Sequence, residues 1–302
     1  MSGAGAPLIL ETEALTKRYG AQVAVDRLAF AVAEGRITGF LGRNGAGKST
    51  TIKMLLGMIP PTSGSARLLG QRIDDPRGSL EIRRRVAYVG EDKGLYGYMT
   101  VDELIRFTRG FYSDWRPELE TRLCAQYALP RERKVKALSK GMRTKLALLL
   151  ALARQPALLV LDEPSDGLDP VSIEELLQEL VRRAADGTTI FFSSHQLADV
   201  ERIADDVVMI DRGRVVLETS MDELRESYRT VTVGFAREAA ADDFRMPGVY
   251  AVQAQGRQLA VHVSEHADAV VQRAHALGAT SVQVSGVSLR EVFLERVAAA
   301  AP

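Results

Sequence analysis

The stretch Gly-Arg-Asn-Gly-Ala-Gly-Lys-Ser-Thr at residues 42–50 decides the fold. It matches the pattern Gly-x4-Gly-Lys-Ser/Thr, whose glycines let successive backbone N–H groups turn toward a polyphosphate. A strand-like run at 37–41 precedes it and a helix-like run at 48–58 follows, so the helix points its positive end at the same anion. Lys48 can reach the β- and γ-phosphates, and the Ser49 hydroxyl can bind Mg²⁺. The stretch therefore predicts a nucleoside triphosphate site.

Composition narrows the class of protein. A chain of 302 residues suggests about two domains. The charges balance, with 39 Lys and Arg against 39 Asp and Glu, which argues against bulk nucleic acid or an acidic membrane surface as a partner. The single cysteine, Cys124, allows neither an intrachain disulfide nor a cysteine-based metal site, and it fits a reducing cytosol. We therefore expect a cytoplasmic protein with no nucleic acid partner.

The sequence gives no sign of a membrane segment. Residues 1–7 lack the basic and apolar regions of a signal peptide. The longest apolar stretches fall well short of the roughly 18 residues that a spanning helix needs. Any membrane role is therefore expected to come through a partner.

The pattern of elements predicts two domains of different class. Strand-like and helix-like runs alternate up to about residue 226, which predicts a mainly parallel sheet with helices packed on its faces. Helical spacing and high charge density mark the part between about 92 and 155. After residue 228 a strand, a hairpin, a helix, a strand and an amphipathic helix follow, which predicts a small C-terminal α+β domain at 229–302.

An apolar strand at 158–161 ends in two carboxylates, Asp162 and Glu163. The carboxyl end of a strand is where an open α/β sheet presents its ligand groups. Asp162 is placed to hold Mg²⁺, and Glu163 is placed to take a proton from an attacking water.

The ordered motifs resemble those of the ATP-binding subunits of ABC transporters. Leu-Ser-Lys-Gly-Met at 138–142 is similar to the family signature Leu-Ser-Gly-Gly-Gln, and residues 163–170 resemble the family's D-loop stretch. His195 matches the switch histidine, and Tyr19 matches the aromatic residue that stacks on adenine. Glu91 stands where the family usually has a glutamine.

The resemblance covers about residues 8–226 and implies an α/β P-loop NTPase fold, the ABC ATPase domain with a helical subdomain at about 92–155. It also implies a head-to-tail dimer, in which the signature of each chain caps the γ-phosphate held by the other. Ser139 begins a predicted helix, so its hydroxyl and the first amides form an anion site. The match is especially close to the subgroup that pairs with separate permeases for export, and residues 110–115 resemble its peptide-antibiotic or cell-envelope branch.

The resemblance assigns roles residue by residue. The catalytic residues are Lys48, Glu163 and His195. The nucleotide-binding residues are Tyr19, Val25, Gly42, Asn44, Gly45, Ala46, Gly47, Lys48, Ser49, Thr50, Ser139 and Gly141. The Mg²⁺ ligands are Ser49, Glu91 and Asp162, and the D-loop residue is Asp169.

Three residues depart from the family pattern. Lys140 replaces the second signature position, normally glycine, and adds a positive charge near the γ-phosphate. Met142 replaces a glutamine and loses a polar contact. Glu91 replaces a glutamine and either binds Mg²⁺ more strongly or repels the phosphate. None of these changes removes the phosphate-binding lysine or the paired carboxylates, so hydrolysis is expected.

The sequence therefore favours a subunit that hydrolyses ATP with Mg²⁺, dimerises on ATP, and drives a separate transmembrane permease for export. Such a subunit would lie on the inner face of the cell membrane, held there by the permease. Two alternatives stay open. One is a non-transport ABC ATPase of the assembly or cell-division type, and the other is a nucleotide-sensing module with little catalysis.

Overall fold

The computed structural model describes residues 7–237 and 240–299 of the chain. The expectation about a leader at residues 1–7 therefore falls almost wholly outside the described part. The chain divides into two compact units between Val215 and Val216. The domain limits at 226 and 229 stay a prediction.

The first unit alternates strands and helices. Its strands are β1 (Leu8–Tyr19), β2 (Gln22–Leu28), β3 (Ala31–Ala33), β4 (Ile37–Gly42), β5 (Ser63–Leu68), β6 (Gln71–Arg72), β7 (Val86–Val89), β8 (Leu158–Asp162), β9 (Thr189–Ser194) and β10 (Asp206–Asp211). Its helices are α1 (Lys48–Leu55), α2 (Pro76–Arg85), α3 (Val101–Arg109), α4 (Pro117–Gln126), α5 (Lys140–Leu152), α6 (Pro170–Ala185) and α7 (Leu197–Ile203).

The remaining elements follow from the end of the first unit. Strand β11 (Arg214–Ser220) spans the division between the units. The second unit continues with α8 (Met221–Ser227), β12 (Arg229–Gly234), β13 (Val249–Gln255), β14 (Gln258–Val263), α9 (Ala267–Ala276), β15 (Ser281–Gly286) and α10 (Leu289–Ala299).

A parallel sheet forms the centre of the first unit, in the order β10-β4-β9-β8-β7. Every residue of β4, β8 and β9 is buried, because helices cover a parallel sheet on both faces. The register sets Gly42 beside Ile210 and sets Asp162 beside Ser193. The carboxyl ends of β4, β8 and β9 therefore meet at one edge. This arrangement confirms the predicted α/β class.

A second sheet in this unit is antiparallel, in the order β2-β1-β5-β6, with β3 paired to β1. The sequence indicated strands here but not a separate sheet. One apolar core joins the two sheets through stacked rings, in which Phe30 lies 5.5 Å from Phe40 and 6.0 Å from Phe191 between centroids. This packing fixes the β1–β2 hairpin, whose tip carries Tyr19.

The helical subdomain is built on α5, which contacts both α3 and α4. The sequence from Val101 onward has continuous helical spacing, but the structure has two separate helices there, α3 and α4. They are separate because the chain turns between Gly110 and Arg116. Helix α5 was predicted to start at Ser139. In the structure Ser139 is the residue before the helix, and its side chain accepts a hydrogen bond from the Met142 N–H as an N-cap.

The second unit has an antiparallel sheet in the order β13-β14-β12-β15. Helix α9 packs on β12 and β15, and α10 contacts β13. Its core includes Val231, Val261 and Val270, all fully buried. This arrangement confirms the predicted small α+β fold. Within the described residues, none of the helices combines the length and the apolar character that a membrane crossing requires.

Candidate nucleotide site

The phosphate loop runs from the end of β4 to the start of α1. Gly45 and Gly47 have φ angles of +82° and +108°, in the left-handed region that favours glycine. A Cβ on Gly47 would lie 2.6 Å from the Ala24 carbonyl oxygen, so only glycine lets the loop pass this close to β2. Helix α1 starts at Lys48, directly after Gly47, and its first N–H groups face the end of the loop.

The Lys48 ammonium is buried at the mouth of this loop. Its Nζ donates to the Gly42 carbonyl oxygen at 2.7 Å and lies 3.1 Å from Glu163 Oε1. Only 6% of the Lys48 side chain is exposed. A buried cation needs a charged partner and hydrogen bonds to offset its desolvation, and this one has both.

Glu163 occupies a backbone conformation that is rare for its residue type. Its φ is +49°, and a non-glycine residue in the left-handed region costs about 1–3 kcal/mol. A serine from the next strand holds this conformation. Ser193 Oγ accepts from the Glu163 N–H at 3.0 Å and donates to Asp162 Oδ1 at 2.6 Å. One hydroxyl group therefore links the Asp162 carboxylate to the backbone of Glu163.

His195 completes a contiguous group with Lys48 and Glu163. Its Nδ1 lies 2.8 Å from Glu163 Oε2, and its backbone N–H donates to the same oxygen at 3.3 Å. We assign the proton to Nδ1, since an ionised carboxylate can only accept. Glu163 thus contacts both of the other residues predicted as catalytic, and each of the three follows a different strand of the parallel sheet.

A cleft of about 850 Å³ lies over this group, within the volume range typical of small-molecule sites. The predicted site residues that line it are Tyr19, Asn44, Gly45, Gly47, Lys48, Ser49, Thr50, Glu91, Glu163 and His195. The Tyr19 side chain lies at one side of the cleft with 52% of the residue exposed, so a face of the ring is open to a planar base.

Four predicted site residues, Val25, Gly42, Ala46 and Asp162, are not among the described residues that line the cleft. Val25 is fully buried, and its Cγ2 would lie 3.3 Å from a Cβ on Gly47. Ala46 and Asp162 are also buried, with Asp162 only 1% exposed. Gly42 takes part through its backbone, as the acceptor of the Lys48 hydrogen bond.

Ser139, Gly141 and Asp169 are not among the described residues that line the cleft, although Glu163 and Asp166 of the D-loop stretch are. Of the described residues that line the cleft, none belongs to the signature stretch. Ser139 is exposed, and its Oγ accepts from the Met142 N–H at 3.2 Å. Asp169 caps helix α6, accepting from the N–H and the hydroxyl of Ser172 at 3.0 and 2.6 Å. These hydrogen bonds hold the pKa of Asp169 below its ordinary value.

Sequence reasoning missed several residues of this site. Ser193 has no motif of its own, and only the register between β8 and β9 reveals its link to Asp162. Arg43, Arg212 and Asp166 also line the cleft. Arg43 and Asp166 lie within recognised motifs and Arg212 lies outside them, and nothing in the sequence indicated that the three residues line the same cleft.

The oxygen ligands near the loop fit Mg²⁺ shared with a phosphate. Ser49 and Glu91 line the cleft, and the Asp162 carboxylate lies directly before Glu163. Across residues 7–237 and 240–299 no group of three or more His, Cys, Asp or Glu side chains could hold a metal by itself. Mg²⁺ is usually bound by one or two protein oxygens plus substrate phosphates, and this donor set suits that arrangement.

Comparisons with known proteins agree on one family. A family model described as ABC transporter matches residues 25–166. The bacitracin transport ATP-binding protein BcrA of Bacillus licheniformis is 38% identical over 73% of this chain and 72% of its own length. The Nod factor export ATP-binding protein I of Ralstonia nicotianae is 37% identical over 74% and 70%. A solved structure of the ATP binding subunit of an ABC transporter is 33% identical with a TM-score of 0.66, covering 72% of this chain and 92% of that one.

Proposed function

This chain belongs to the ATP-binding subunits of ABC transporters and is an ATPase of that family, and on this premise we propose that it drives a separate transmembrane permease for export. The observation that carries the proposal is the contact between Lys48, Glu163 and His195 at the mouth of the phosphate loop. Export is supported by relatives named for bacitracin transport and Nod factor export.

The geometry supports hydrolysis by positioning and charge, which dominate phosphoryl transfer. The loop amides and Lys48 would hold the β- and γ-phosphates. When the Lys48 ammonium turns to a phosphate oxygen, it releases Glu163 Oε1, which can then accept a hydrogen bond from the attacking water. His195 keeps the other oxygen, Oε2, in place, so Glu163 has one oxygen for positioning and one for proton transfer.

Ser49 and Asp162, with Glu91 at the edge of the cleft, are the residues that would hold Mg²⁺ together with ATP. The cation would supply positive charge to the phosphate oxygens. Glu91 brings a negative charge where the family usually has a neutral glutamine, so it strengthens the attraction of this edge for a cation.

A second copy of the chain would complete the site. Ser139 and Gly141 stand at the start of α5, where the N–H groups of a first helical turn suit an anion, yet they are not among the described residues that line the cleft of their own chain. A head-to-tail dimer would place the signature of one chain against the γ-phosphate bound by the other. Such a two-fold arrangement is closed and self-complementary.

A group of exposed aromatic residues supports a protein partner for the helical subdomain. Tyr96, Tyr98, Phe107 and Phe111 are between 43% and 69% exposed. Neighbouring rings in the group lie 5.1 to 5.9 Å apart between centroids, so the four form one contiguous patch. Contiguous exposed apolar patches mark interaction sites. We assign this patch to the permease, which would hold the subunit on the inner face of the membrane.

The first test is steady-state phosphate release by the purified chain with MgATP. Turnover above a Lys48→Ala control is expected. Tight ATP binding with no turnover, alone and with the co-expressed membrane partner, would favour the nucleotide-sensing alternative and contradict the proposal.

The second test separates transport from the non-transport alternative. The chain is affinity-purified from detergent-solubilised cells, and the co-purifying proteins are identified by mass spectrometry. We expect a multi-helix membrane protein, retained by Leu80→Ala and reduced by Phe111→Ala. Leu80 is a matched control, because it is 51% exposed and lies outside the aromatic group. A soluble assembly complex in place of the membrane protein would refute the transport function.

We also propose that the chain is organised as an ABC ATPase domain at 8–226, with its helical subdomain at about 92–155, and an accessory domain at 229–302. Limited proteolysis of the full chain, followed by intact-mass measurement, tests the boundary. Cleavage concentrated near 226–229 is expected. Cleavage concentrated before residue 216 would move the boundary to the division between the compact units.

A further inference from the structure

We propose that Lys140 is a positioning residue for ATP binding, because its ammonium neutralises the Asp166 carboxylate at the edge of the nucleotide cleft. The pair joins the start of α5 to the loop that follows β8 within one chain. This inference rests on the proposed function of the cleft. It gives a role to one of the two residues, Lys140 and Met142, by which the signature of this chain departs from the family pattern.

The contact between the two residues is direct. Lys140 Nζ lies 2.6 Å from Asp166 Oδ2, although 26 residues separate them in the sequence. The apolar stem of Lys140 crosses Gly167, where a Cβ would lie 2.6 Å from Lys140 Cδ and 2.8 Å from Cε. Gly167 also has a φ of +76°. The conformation of the Lys140 side chain therefore requires a glycine at position 167, directly after its partner Asp166.

Asp166 is the member of the pair that faces the nucleotide. It lines the same cleft as Lys48, Glu163 and His195. The hydrogen bond from Lys140 is the main reason that the pKa of Asp166 lies below its ordinary value, and so the carboxylate stays ionised at neutral pH. Without Lys140, this negative charge would face the phosphates of ATP.

The other charges near Asp166 do not replace Lys140. Lys93 and His195 also act on Asp166 electrostatically, but their effects are smaller than the Lys140 hydrogen bond. Burial lowers the pKa of Lys93, because desolvation disfavours the charged form of its amine. Lys140 is therefore the principal cation that offsets Asp166.

The ion pair affects the binding of ATP more than it affects the stability of the fold. The side chains of Lys140 and Asp166 are 54% and 40% exposed, and ion pairs with this exposure contribute little to folding. A triphosphate carries several negative charges, so repulsion from one unpaired carboxylate that lines the same cleft would weaken its binding roughly 3- to 10-fold at low salt.

The test is a double-mutant cycle on the full chain, with KM for ATP and kcat measured at low and high salt. Lys140→Met removes the charge but keeps the apolar stem over Gly167. We expect it to raise KM about 3- to 10-fold at low salt with kcat within about twofold. The increase should shrink in about 0.5 M salt, because screening shortens the range of the repulsion. Asp166→Asn in the same chain should return KM to the wild-type value, and Lys140→Arg should preserve it.

The control pair is Arg72 and Asp74, which are in contact at 2.7 Å with side chains 50% and 53% exposed. Neither is among the described residues that line the cleft, so Arg72→Met should leave KM unchanged. Thermal unfolding of every variant should stay near the wild-type midpoint.

Two results would overturn the inference. An unchanged KM in Lys140→Met would show that the pair does not influence ATP. A raised KM that Asp166→Asn fails to restore would show that Lys140 acts on the nucleotide itself, in its own chain or in a second copy. Failure of the proposed function would look different, because the wild-type chain would then show no ATP turnover from which KM could be measured.

Discussion

The phosphate-loop half of the nucleotide site and the signature half are built in opposite ways. Lys48 and Glu163 are buried, contact each other, and are held by hydrogen bonds from neighbouring strands. Ser139 is exposed, and its side chain does no more in the structure than cap its own helix. The contacts of the phosphate-loop half are already formed within a single chain. In the second half, the start of α5 does not line the cleft, and we propose that it binds the phosphate held by a second chain.

This difference leads to different expectations for mutations in the two halves. A change in the phosphate-loop half breaks contacts that already exist, so it should act on each chain separately. A change at Ser139 should matter only where a second chain is present, whereas Lys140 of the same signature acts within its own chain through Asp166. Single variants and a mixture of two variants test that contrast.

Glu163→Gln should slow ATP hydrolysis by about 10²–10⁴-fold, because an amide cannot take the proton from water. ATP affinity should stay within a few-fold, since the amide oxygen can still accept from His195. The measurements are phosphate release and equilibrium nucleotide binding. Glu174→Gln is the control, a glutamate paired with Arg202 outside the set of described cleft residues. Near-normal turnover in Glu163→Gln would remove this residue from the mechanism.

Lys48→Ala should weaken ATP binding by about 10- to 100-fold, the usual worth of a charge-assisted hydrogen bond. It also leaves Glu163 without its buried cation. Binding is measured by calorimetry or with a fluorescent nucleotide. Lys53→Ala, an exposed lysine in the last turn of the same helix, is the matched control and should bind normally. Equal affinities for the two variants would contradict the assignment of the loop.

A mixture of two inactive variants should recover activity if the signature acts across a dimer. Ser139→Ala and Lys48→Ala chains are mixed in equal amounts, so that half of the dimers contain one intact composite site. Phosphate release should rise to about a quarter of the wild-type rate. Each variant alone should stay near background. No recovery on mixing, with exchange of subunits verified, would show that Ser139 does not act in trans.

Tyr19→Ala should weaken ATP binding by about 3- to 10-fold, because an aromatic stacking contact is worth about 0.5–1.5 kcal/mol. Tyr19→Phe keeps the ring and should bind as the wild type does. Tyr98→Ala removes an exposed tyrosine that is not among the described cleft residues and serves as the control. Unequal affinities for the wild type and Tyr19→Phe would indicate that the hydroxyl, rather than the ring, contacts the nucleotide.

Much of the fold and of the phosphate-loop half could be predicted from the sequence because the signals are local. The glycines of the loop, the buried run before Asp162 and the helical period of α5 each lie within about 15 residues of chain. Helices α2 and α8 were not predicted, although both carry N-cap residues, Asp75 and Ser220. Their apolar positions are few, so the periodic signal is weak in each case.

Local sequence patterns did not predict the contacts between segments that are distant in the chain. Ser193 reaches Asp162 because β8 and β9 pair in one particular register, and a shift of one residue would turn the serine to the opposite face. The same limit applies to Lys140 and Asp166, each of which belongs to a recognised motif. Their contact depends on how α5 is placed against the loop after β8.

The sequence by itself determined which chemical groups this protein has and which local structures carry them: a glycine-rich loop before a helix, paired acids after a buried strand, and a serine at a helix start. Backbone sterics and hydrophobic periodicity act over short stretches, so they can be read from one segment at a time. Only the tertiary structure decided which groups meet. Strand order and register brought Lys48, Glu163 and His195 together and left Ser139 apart, because packing between distant segments sets those positions.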